Sequence, residues 1–464
     1  MQTTTLAHPA VLLGIALLLN ACAHPQGNQQ IIAATSSVES QAPQDPTAVY
    51  HQMGLIATGS PLSFVGKIAY FATPSIDTTL ILASVSIPNR SLSFVREGDS
   101  YRAPYEVHLI LSQSGNQVAS VNSMEIVRVP TFKEINRTDE SVIFQHYFKV
   151  NPGNYTISFQ VRDAASARST SQEGQITVPA LKNGLLSTPV IVYEASRRIT
   201  LDSLPRILAS PRSSAVFGQD STVTVYLEGY GMQSRLPVGF VVQNDRGTVL
   251  WRDTVLLQRQ GNLLSGSLKV PISKVGIGIA NITFTRGDAT DTVRAPVFVS
   301  FGNDIPLLSF DEMLAELRYY AAPERIRALR DAPPERRGTV WADFLRSTDP
   351  VPGTPEHEGL QAYFTRILQA NIRFREESGG RSGWLSDRGK VYVSLGEPDQ
   401  IYEQNTNVPL SSTSVTQRSR VQFWEYAQYR LRFLFYDESG TGRWRLTPAS
   451  EADFQSINAR LLVH

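Results

Sequence analysis

The sequence predicts two consecutive β-sandwiches followed by an α+β domain in which helices precede an antiparallel sheet. Its 464 residues are enough for about three domains of roughly 150 residues each. Apolar and polar residues alternate with a period of two through much of residues 60–300, which is typical of half-buried strands. After Asp304 the apolar residues recur every three or four positions, which indicates helices, and strand patterns return near the end. These changes predict domains at residues 49–197, 198–302 and 303–464.

The N-terminal segment predicts a secretion signal and a lipid anchor. Ala10–Leu19 is a run of ten apolar residues, too short to span a bilayer and typical of the hydrophobic region of a signal peptide. It leads into the sequence Leu-Asn-Ala-Cys22, which resembles the lipobox of bacterial lipoproteins. The resemblance implies that residues 1–21 are a signal peptide removed on export. It also implies that the Cys22 thiol carries diacylglycerol and that the new N-terminus is acylated, as with palmitate. An ordinary signal peptide or membrane anchor with a chance cysteine is the alternative.

The residues after the lipobox predict where the protein lies. By the sorting rule of such lipoproteins, Ala23 in place of aspartate implies the outer membrane of the bacterial cell envelope. Residues 22–48 are rich in Gln, Ser, Ala and Pro, which predicts a flexible tether behind the lipid anchor. No later run reaches the ~18 apolar residues of a spanning helix, so the lipid is the predicted contact with the membrane.

Composition excludes several kinds of site. Cys22 is the single cysteine, which excludes disulfides and thiolate metal sites from the folded part. The net charge of +1 provides no field to attract nucleic acid. None of the five histidines after residue 48 has a metal-binding spacing, and neither a Walker loop nor a dinucleotide fingerprint occurs. The sequence therefore predicts no metal, no cofactor, no nucleic-acid partner and no assigned catalytic residue.

The first β region contains several strand patterns. Ser63–Phe71, Thr79–Ile87 and Glu106–Leu111 are rich in β-branched and aromatic residues. A Pro-Gly turn at 152–153 precedes alternating Tyr155, Ile157, Phe159 and Val161, a strand with one buried face. A turn followed by a strand that begins with tyrosine resembles the E–F corner of immunoglobulin-like sandwiches.

The second β region repeats this plan. Val223, Val225 and Leu227 alternate with polar or amphipathic residues, as do Ala280, Ile282 and Phe284. Asn244–Gly247 has the composition of a four-residue hairpin loop. The predicted fold class is therefore multidomain: two tandem immunoglobulin-like β-sandwiches and then the α+β domain.

Four helices are predicted at the start of the α+β domain. Ser309–Glu312 is a capping box, Glu324–Asp331 follows a proline, and Pro333-Pro334 begins a third helix. Thr354 is the predicted cap of the fourth helix. Its predicted apolar stripe is Leu360, Phe364, Ile367, Leu368 and Phe374.

A sheet is predicted to follow these helices. Val391, Val393 and Leu395 alternate with Tyr392 and Ser394, which predicts a strand over Lys390–Gly396. Gln404–Ser419 is expected to be a polar loop. Three further strands are predicted at Val421–Tyr426, Leu431–Asp437 and Arg443–Thr447.

Several motifs in this part of the chain occur in a fixed order. They are Asp349–Glu356 (DPVPGTPE), Gly383–Asp387 (GWLSD) with Arg388 and Gly389, Gly396–Asp399 (GEPD), and Trp424–Tyr426 (WEY). Together they resemble the GWxTD domain, a bacterial family, over about residues 305–448; Ser386 stands where threonine is usual. The resemblance implies an envelope protein with a β-rich N-terminal part, and a domain whose biochemical role is not established.

Each motif residue has a structural interpretation. Gly383 can adopt a positive φ, and Trp384 can pack against the preceding helix. Ser386 and Asp387 can bond nearby backbone, and Gly389 can turn the chain into the strand. In the GEPD motif, Gly396 and Pro398 can end that strand.

The functional interpretation uses three carboxylates. Asp387 lies about 23 Å from Glu397 if seven strand residues at ~3.3 Å each separate them, too far for a two-carboxylate site. Glu397 and Asp399 could share a hard cation such as calcium if other oxygens were added.

Two functions remain open at this level. The first is a non-enzymatic binding or scaffold module on the membrane, whose GWxTD domain contacts an envelope protein or glycan partner. The second is an envelope hydrolase with an acidic site at Asp387, Glu397 and Asp399, in which Arg388 holds a substrate anion.

Overall fold

The computed structural model describes residues 47–135, 141–287, 292–302, 308–353, 357–376, 382–409, 416–437 and 440–463, which belong to one compact unit. Cys22, the predicted signal peptide and most of the predicted tether lie outside these residues. Within the described ranges, no helix is both long and apolar enough to cross a membrane.

The first part of the chain forms two antiparallel sheets that share a core. Its elements are α1 (Ala48–Gln52), β1 (Ile56–Thr58), β2 (Phe64–Ala72), β3 (Thr79–Pro88), β4 (Val95–Glu97), β5 (Ser100–Gln113), β6 (Asn116–Val129), α2 (Phe132–Ile135), β7 (Ser141–Val150), β8 (Gly153–Asp163) and β9 (Ser169–Val178). One sheet has the order β1-β2-β3-β7, and the other has the order β4-β5-β8-β9 with β6 also paired to β5. The four alternating residues of β8 are all buried in this core, as predicted.

The second part forms one nine-stranded sheet. Its elements are β10 (Val190–Ser196), β11 (Arg206–Ala209), β12 (Ser214–Val216), β13 (Thr222–Gly229), β14 (Arg235–Asn244), β15 (Val249–Gln260), β16 (Leu263–Pro271), α3 (Ile272–Val275), β17 (Gly278–Arg286) and β18 (Thr292–Ser300). The strand order is β11-β10-β13-β16-β15-β14-β17-β18-β12, in which β12 and β18 are parallel. Strand β10 precedes residue 198 but pairs with β13 of this sheet.

Buried polar contacts join the two β regions. Arg198 Nη1 donates to the carbonyl of Ala72 at the end of β2 and to Glu228 Oε2, at 3.2 and 3.1 Å. The Tyr230 hydroxyl donates to the same carboxylate and accepts from the amide of Ala72. Because these groups are buried and mutually satisfied, breaking the junction would leave a charge unpaired, so the two regions are held in one arrangement.

The C-terminal part combines helices with a four-stranded antiparallel sheet. The helices are α4 (Phe310–Glu316), α5 (Pro323–Asp331), α6 (Arg337–Thr348), α7 (Glu358–Arg373), α8 (Asp387–Leu395) and α9 (Pro448–Leu461). The strands are β19 (Gln400–Pro409), β20 (Thr416–Tyr426), β21 (Leu431–Asp437) and β22 (Arg445–Leu446), paired in that order. Their shared core contains Trp341, Trp384, Trp424 and Phe454. The predicted sequence of helices and then an antiparallel sheet is confirmed, with one further helix at the end.

Two predictions in this part are wrong, and one helix was not predicted. The predicted strand Lys390–Gly396 lies mainly within helix α8, whose residues Val391, Tyr392 and Val393 are all buried. A helix buried on most of its surface shows no 3.6-residue stripe, so the alternation was not diagnostic. The predicted polar loop Gln404–Ser419 contains the ends of the β19–β20 hairpin, and α9 was not predicted.

Helix α7 also differs in detail. It begins at Glu358, where the Nδ1 of His357 accepts a hydrogen bond from Leu360 N at 3.1 Å and caps the helix. The predicted cap, Thr354, lies outside the described residues. Leu368 is 52% exposed and is not part of the buried stripe.

The C-terminal part packs on the nine-stranded sheet. Trp341 on α6 donates from Nε1 to the carbonyl of Phe301, just after β18, at 2.9 Å. Arg246 in the β14–β15 loop forms an ion pair with Asp311 on α4. The helices therefore start from a fixed position on the β region.

Candidate functional site

The GWLSD motif begins as one turn of 3-10 helix, Gly383–Leu385, packed on α7. A Cβ on Gly383 would lie 2.3 Å from the carbonyl oxygen of Ala370, so glycine is required by close approach rather than by the predicted positive φ. A Cβ on Gly389 would lie 1.9 Å from the carbonyl oxygen of Gly383. Gly389 does not lead into a strand as predicted; it lets the first turn of α8 lie against the 3-10 turn.

Ser386 caps α8. Its hydroxyl accepts from the amide of Gly389 at 3.0 Å and donates to the carbonyl of Gly383 at 2.7 Å. The side chain is 3% exposed, so both backbone groups would be unsatisfied without it. A threonine hydroxyl can make the same two bonds, which explains how serine replaces the usual residue of the motif.

Asp387 joins α8 to the sheet and to the last helix. Its Oδ2 accepts from the amide of Leu446 on β22 at 2.8 Å. Its Oδ1 lies 3.1 Å from Lys390 Nζ, which lies 2.6 Å from Glu451 Oε2 on α9. Asp387 does bond backbone, as predicted, but the partner is 59 residues away in sequence. The carboxylate is thus occupied by the fold on both oxygens.

Trp384 is almost completely buried, with 2% of its surface exposed. Its amide donates to Asn371 Oδ1 on α7 at 3.1 Å, and its ring lies 6.0 Å from that of Tyr319 in an edge-on contact. The guanidinium of Arg318 lies 5.0 Å from the tryptophan ring centroid. Trp384 therefore packs on the preceding helix, as predicted, and fills the core.

Arg388 lies between two aromatic rings. Its guanidinium is 5.3 Å from the centroid of Phe374 and 5.0 Å from that of Trp444, and the guanidinium of Arg420 lies 5.1 Å from the same Trp444 ring. Burial lowers the pKa of Arg388 to about 10. The geometry shows a cation held by π faces, and the predicted role of holding a substrate anion stays a prediction.

The GEPD motif follows α8. Gly396 ends the helix with φ +86°, and its amide donates to the carbonyl of Tyr392. Glu397 forms a two-pronged ion pair with Arg373 at the end of α7, with one N–O distance of 2.8 Å. Hydrogen bonding from Arg373 lowers the pKa of Glu397. Both side chains are substantially exposed, so the pair positions the turn more than it stabilises the fold.

The remaining two residues of this motif hold the start of the sheet. Pro398 is buried at the entry to β19. The Oδ2 of Asp399 accepts from the amide of Ala427 at 2.6 Å, and its own amide donates to the carbonyl of Glu425. Asp399 thus fixes the turn after β20, and its carboxylate is committed to backbone.

The predicted carboxylates do not form a shared site. Glu397 bonds α7, whereas Asp399 bonds the turn after β20, so the structure does not show them converging on a cation. No cluster of three metal-ligating side chains occurs in the ranges that the structure describes. The 23 Å strand separation is also wrong, because nine helical residues rise only ~14 Å.

Sequence reasoning missed two charged groups in this domain. Glu316 at the end of α4 is 2% exposed, and burial raises its carboxyl pKa to about 8. Arg366 on α7 lies partly buried among tyrosines, and burial lowers its pKa. Neither residue belongs to a motif; their position among apolar residues of amphipathic helices was the available signal.

The fold and motif together define an α+β domain in which helices α7 and α8, packed through glycines, are tied to an antiparallel sheet. Comparison with known families agrees: residues 284–438, about a third of the chain, match the GWxTD domain. The chain is a GWxTD domain-containing protein. The match begins inside β17, so it includes the last strands of the nine-stranded sheet.

Other comparisons add similarity to solved structures only. A biofilm-associated protein BSP domain is 9% identical over 54% of this chain and 54% of its own, with a TM-score of 0.17. Dimeric latent PorU from Porphyromonas gingivalis is 12% identical over 51% and 20%, with a TM-score of 0.24. A Bifidobacterium dentium β-glucuronidase is 9% identical over 53% and 48%, with a TM-score of 0.18. This chain thus spans about half or less of the length of each of these solved chains. A search of curated proteins gives no match.

Proposed function

We propose that this protein is a non-enzymatic binding or scaffold module of the bacterial cell envelope, held on the outer membrane by a lipid on Cys22. The GWxTD domain is its interaction domain, and the partner is an envelope protein or glycan. One observation carries the proposal: each carboxylate of the motifs, Asp387, Glu397 and Asp399, is bonded within the fold. An acid committed to backbone or to an arginine is a poor general acid or base.

The architecture supports a rigid spacer. The Tyr155 hydroxyl donates to the carbonyl of Asn151 four residues upstream, at 2.8 Å, as the tyrosine of an immunoglobulin-like corner does. We therefore interpret the first β region as an immunoglobulin-like sandwich, followed in the chain by the single nine-stranded sheet of the second region. Buried contacts at Arg198 and Trp341 connect the three parts in series. Such a body on a flexible tether would hold the GWxTD domain away from the membrane surface.

The alternative, an envelope hydrolase, lacks a matching geometry in the described residues. Its proposed acids bond different elements, and Arg388 is packed between rings. We retain the binding module because it requires no residue to leave its observed contacts.

The lipid anchor is tested by fractionation. Replacing Cys22 with serine removes the thiol that lipidation needs, so the variant is expected to move from the membrane pellet to the soluble fraction. A variant that pellets like the wild type would contradict the anchor.

The interaction domain is tested by site-specific photo-crosslinking in native membranes. A photoreactive phenylalanine analogue is placed at Ile372 on α7, which is 82% exposed, or at Met232 in the nine-stranded region, which is 85% exposed. Both positions are on the surface, so neither change should disturb the core. We expect a reproducible partner from position 372 and none from position 232. The reverse pattern would place the partner surface in the β region.

A further inference from the structure

Arg366 is a partly buried cation for which the described residues supply no counterion. It lies on α7, and its Nε is buried without an acceptor. Among the described residues, it forms no hydrogen bond and no ion pair within 4 Å. A guanidinium held away from water normally has such partners, because the cost of removing its hydration is otherwise uncompensated.

Four tyrosines lie near this guanidinium. Tyr429 packs its ring 6.4 Å from that of Tyr426, whose hydroxyl bonds the carbonyl of Gly396. Burial is the main cause that lowers the pKa of Arg366, and the hydroxyls that also act on it belong to Tyr320, Tyr363, Tyr392 and Tyr429. The first three donate hydrogen bonds elsewhere, to Thr348, Glu316 and Gln369. The Tyr429 hydroxyl has no hydrogen-bond partner in the described structure, so it remains available as a donor beside the cation.

Two of the family motifs, GEPD and WEY, contribute residues beside Arg366. A Cβ built on Gly396 of the GEPD motif would lie 3.7 Å from Arg366 Nη1, and φ +86° favours glycine at that position. The hydroxyl of Tyr426, from the WEY motif, donates to the carbonyl of Gly396 at 2.9 Å. The glycine thus leaves the guanidinium uncovered on this side, and the partial exposure of Arg366 gives a solute access to it.

A second arginine on helix α7 shows how a guanidinium on this face binds a carboxylate. Arg373 lies seven residues, about two turns, after Arg366 and so on the same face of α7. It holds the carboxylate of Glu397 with two parallel hydrogen bonds. Arg366 has the same fork geometry, but no acid among the described residues pairs with it.

We infer that Arg366 and the Tyr429 hydroxyl form a binding site for a single carboxylate that a partner protein presents, as an acidic side chain or a C-terminus. The inference rests on the proposed function, whose partner chemistry it specifies. A monoanion fits better than a phosphate dianion, because one guanidinium supplies one positive charge. The acids Asp349 and Glu397 also act on neighbouring tyrosines and would repel a second negative charge.

The site is tested with small probes on the full-length protein in detergent micelles. The probes are 3-phenylpropanoate, the matching 3-phenylpropanamide and phenyl phosphate, with affinities from isothermal titration calorimetry. A hydrogen-bonded ion pair predicts that the carboxylate binds at least about tenfold more tightly than the amide. Equal affinities for the acid and the amide would overturn the site, and tighter binding of phenyl phosphate would overturn the assignment to a carboxylate.

Matched variants assign the effect to these residues. Arg366→Met should abolish the preference for the acid, and Tyr429→Phe should reduce it about threefold through loss of one hydrogen bond. Arg327→Met on α5 is the control, because that arginine is exposed and should leave the preference unchanged. Tyr429→Phe removes an unbonded hydroxyl and should fold normally, which keeps the test decisive if Arg366→Met does not fold. A preference that survives in both variants would overturn the proposal.

Photo-crosslinking at Ile372 separates this inference from the proposed function. Loss of the wild-type partner in Arg366→Met supports both. An unchanged partner yield would overturn the carboxylate site while the interaction domain stands. Probe binding without any crosslinked partner would overturn the interaction domain while the site stands.

Discussion

Replacing Gly389 with alanine should destabilise the GWxTD domain, although alanine is the better helix former. In an ordinary helix the change would be worth about 1 kcal/mol in favour of alanine. Here the new Cβ would lie 1.9 Å from the carbonyl oxygen of Gly383 and 2.8 Å from the Cα of Trp384. Both contacts are with backbone, so no side-chain rotation relieves them.

The magnitude follows from this conflict. Overpacking a close-packed interior costs typically 1–3 kcal/mol, and this contact requires a shift of about 1 Å between two backbone segments. We therefore expect Gly389→Ala to lower the free energy of unfolding by about 3 kcal/mol, after the propensity gain is included. Ser394→Ala in the same helix is the matched control. The Ser394 hydroxyl is buried without a partner, so its removal should stabilise the domain by about 0.5 kcal/mol.

Urea unfolding followed by tryptophan fluorescence measures this difference. Four of the five tryptophans lie in residues 303–464, so the signal reports mainly on the GWxTD domain. A Gly389→Ala protein as stable as the wild type, or more stable, would refute the steric role of the motif glycines.

Three further outcomes are expected. Ser386→Ala should cost about 2 kcal/mol in urea unfolding because it removes a helix cap and leaves the Gly383 carbonyl unsatisfied, whereas Ser386→Thr should cost little. Burial lowers the pKa of Lys67 to about 7, against 10.5 when exposed, so this group makes the stability of the protein rise between pH 7 and pH 10.5. In thermal unfolding, Lys67→Met should therefore be more stable than the wild type at pH 7 by roughly 2 kcal/mol. That advantage should be lost near pH 10. Burial also lowers the pKa of His357, so the stability of the protein should fall as pH drops below 6.5. His357→Asn keeps a helix cap without titrating, so this variant should show a weaker dependence of stability on pH in the same assay.

Local signals in the sequence were sufficient for part of the fold. The capping box at Ser309 forms as expected, with both reciprocal hydrogen bonds, because its partners are three residues apart. The hairpin loop Asn244–Gly247 and the buried alternation of β8 and β17 were also predictable. Each of these features depends on a hydrophobic period or a turn sequence that lies within a few consecutive residues.

Helix α8 and the site depended on distant contacts. Val391–Leu395 contains two β-branched residues and a tyrosine, and four of its five residues are buried, so its local propensity favours a strand. Packing against α7 decides otherwise. The structural role of Ser386 was readable from its type, but the partner of Asp387 on β22 was not. Nor could one sequence show that Gly383 meets the Ala370 carbonyl.

The central claim is that the motif carboxylates hold the fold and perform no chemistry. The most direct measurement is photo-crosslinking from Ile372 in the double variant Glu397→Gln and Asp399→Asn, together with its melting temperature. Both amides keep an oxygen acceptor, so the fold should remain. We predict the same partner, at a yield within about twofold of the wild type. Two results would contradict the claim, provided that the double variant melts at the wild-type temperature. The first is loss of that partner, and the second is capture of a new molecule, as an inactivated hydrolase would capture its substrate.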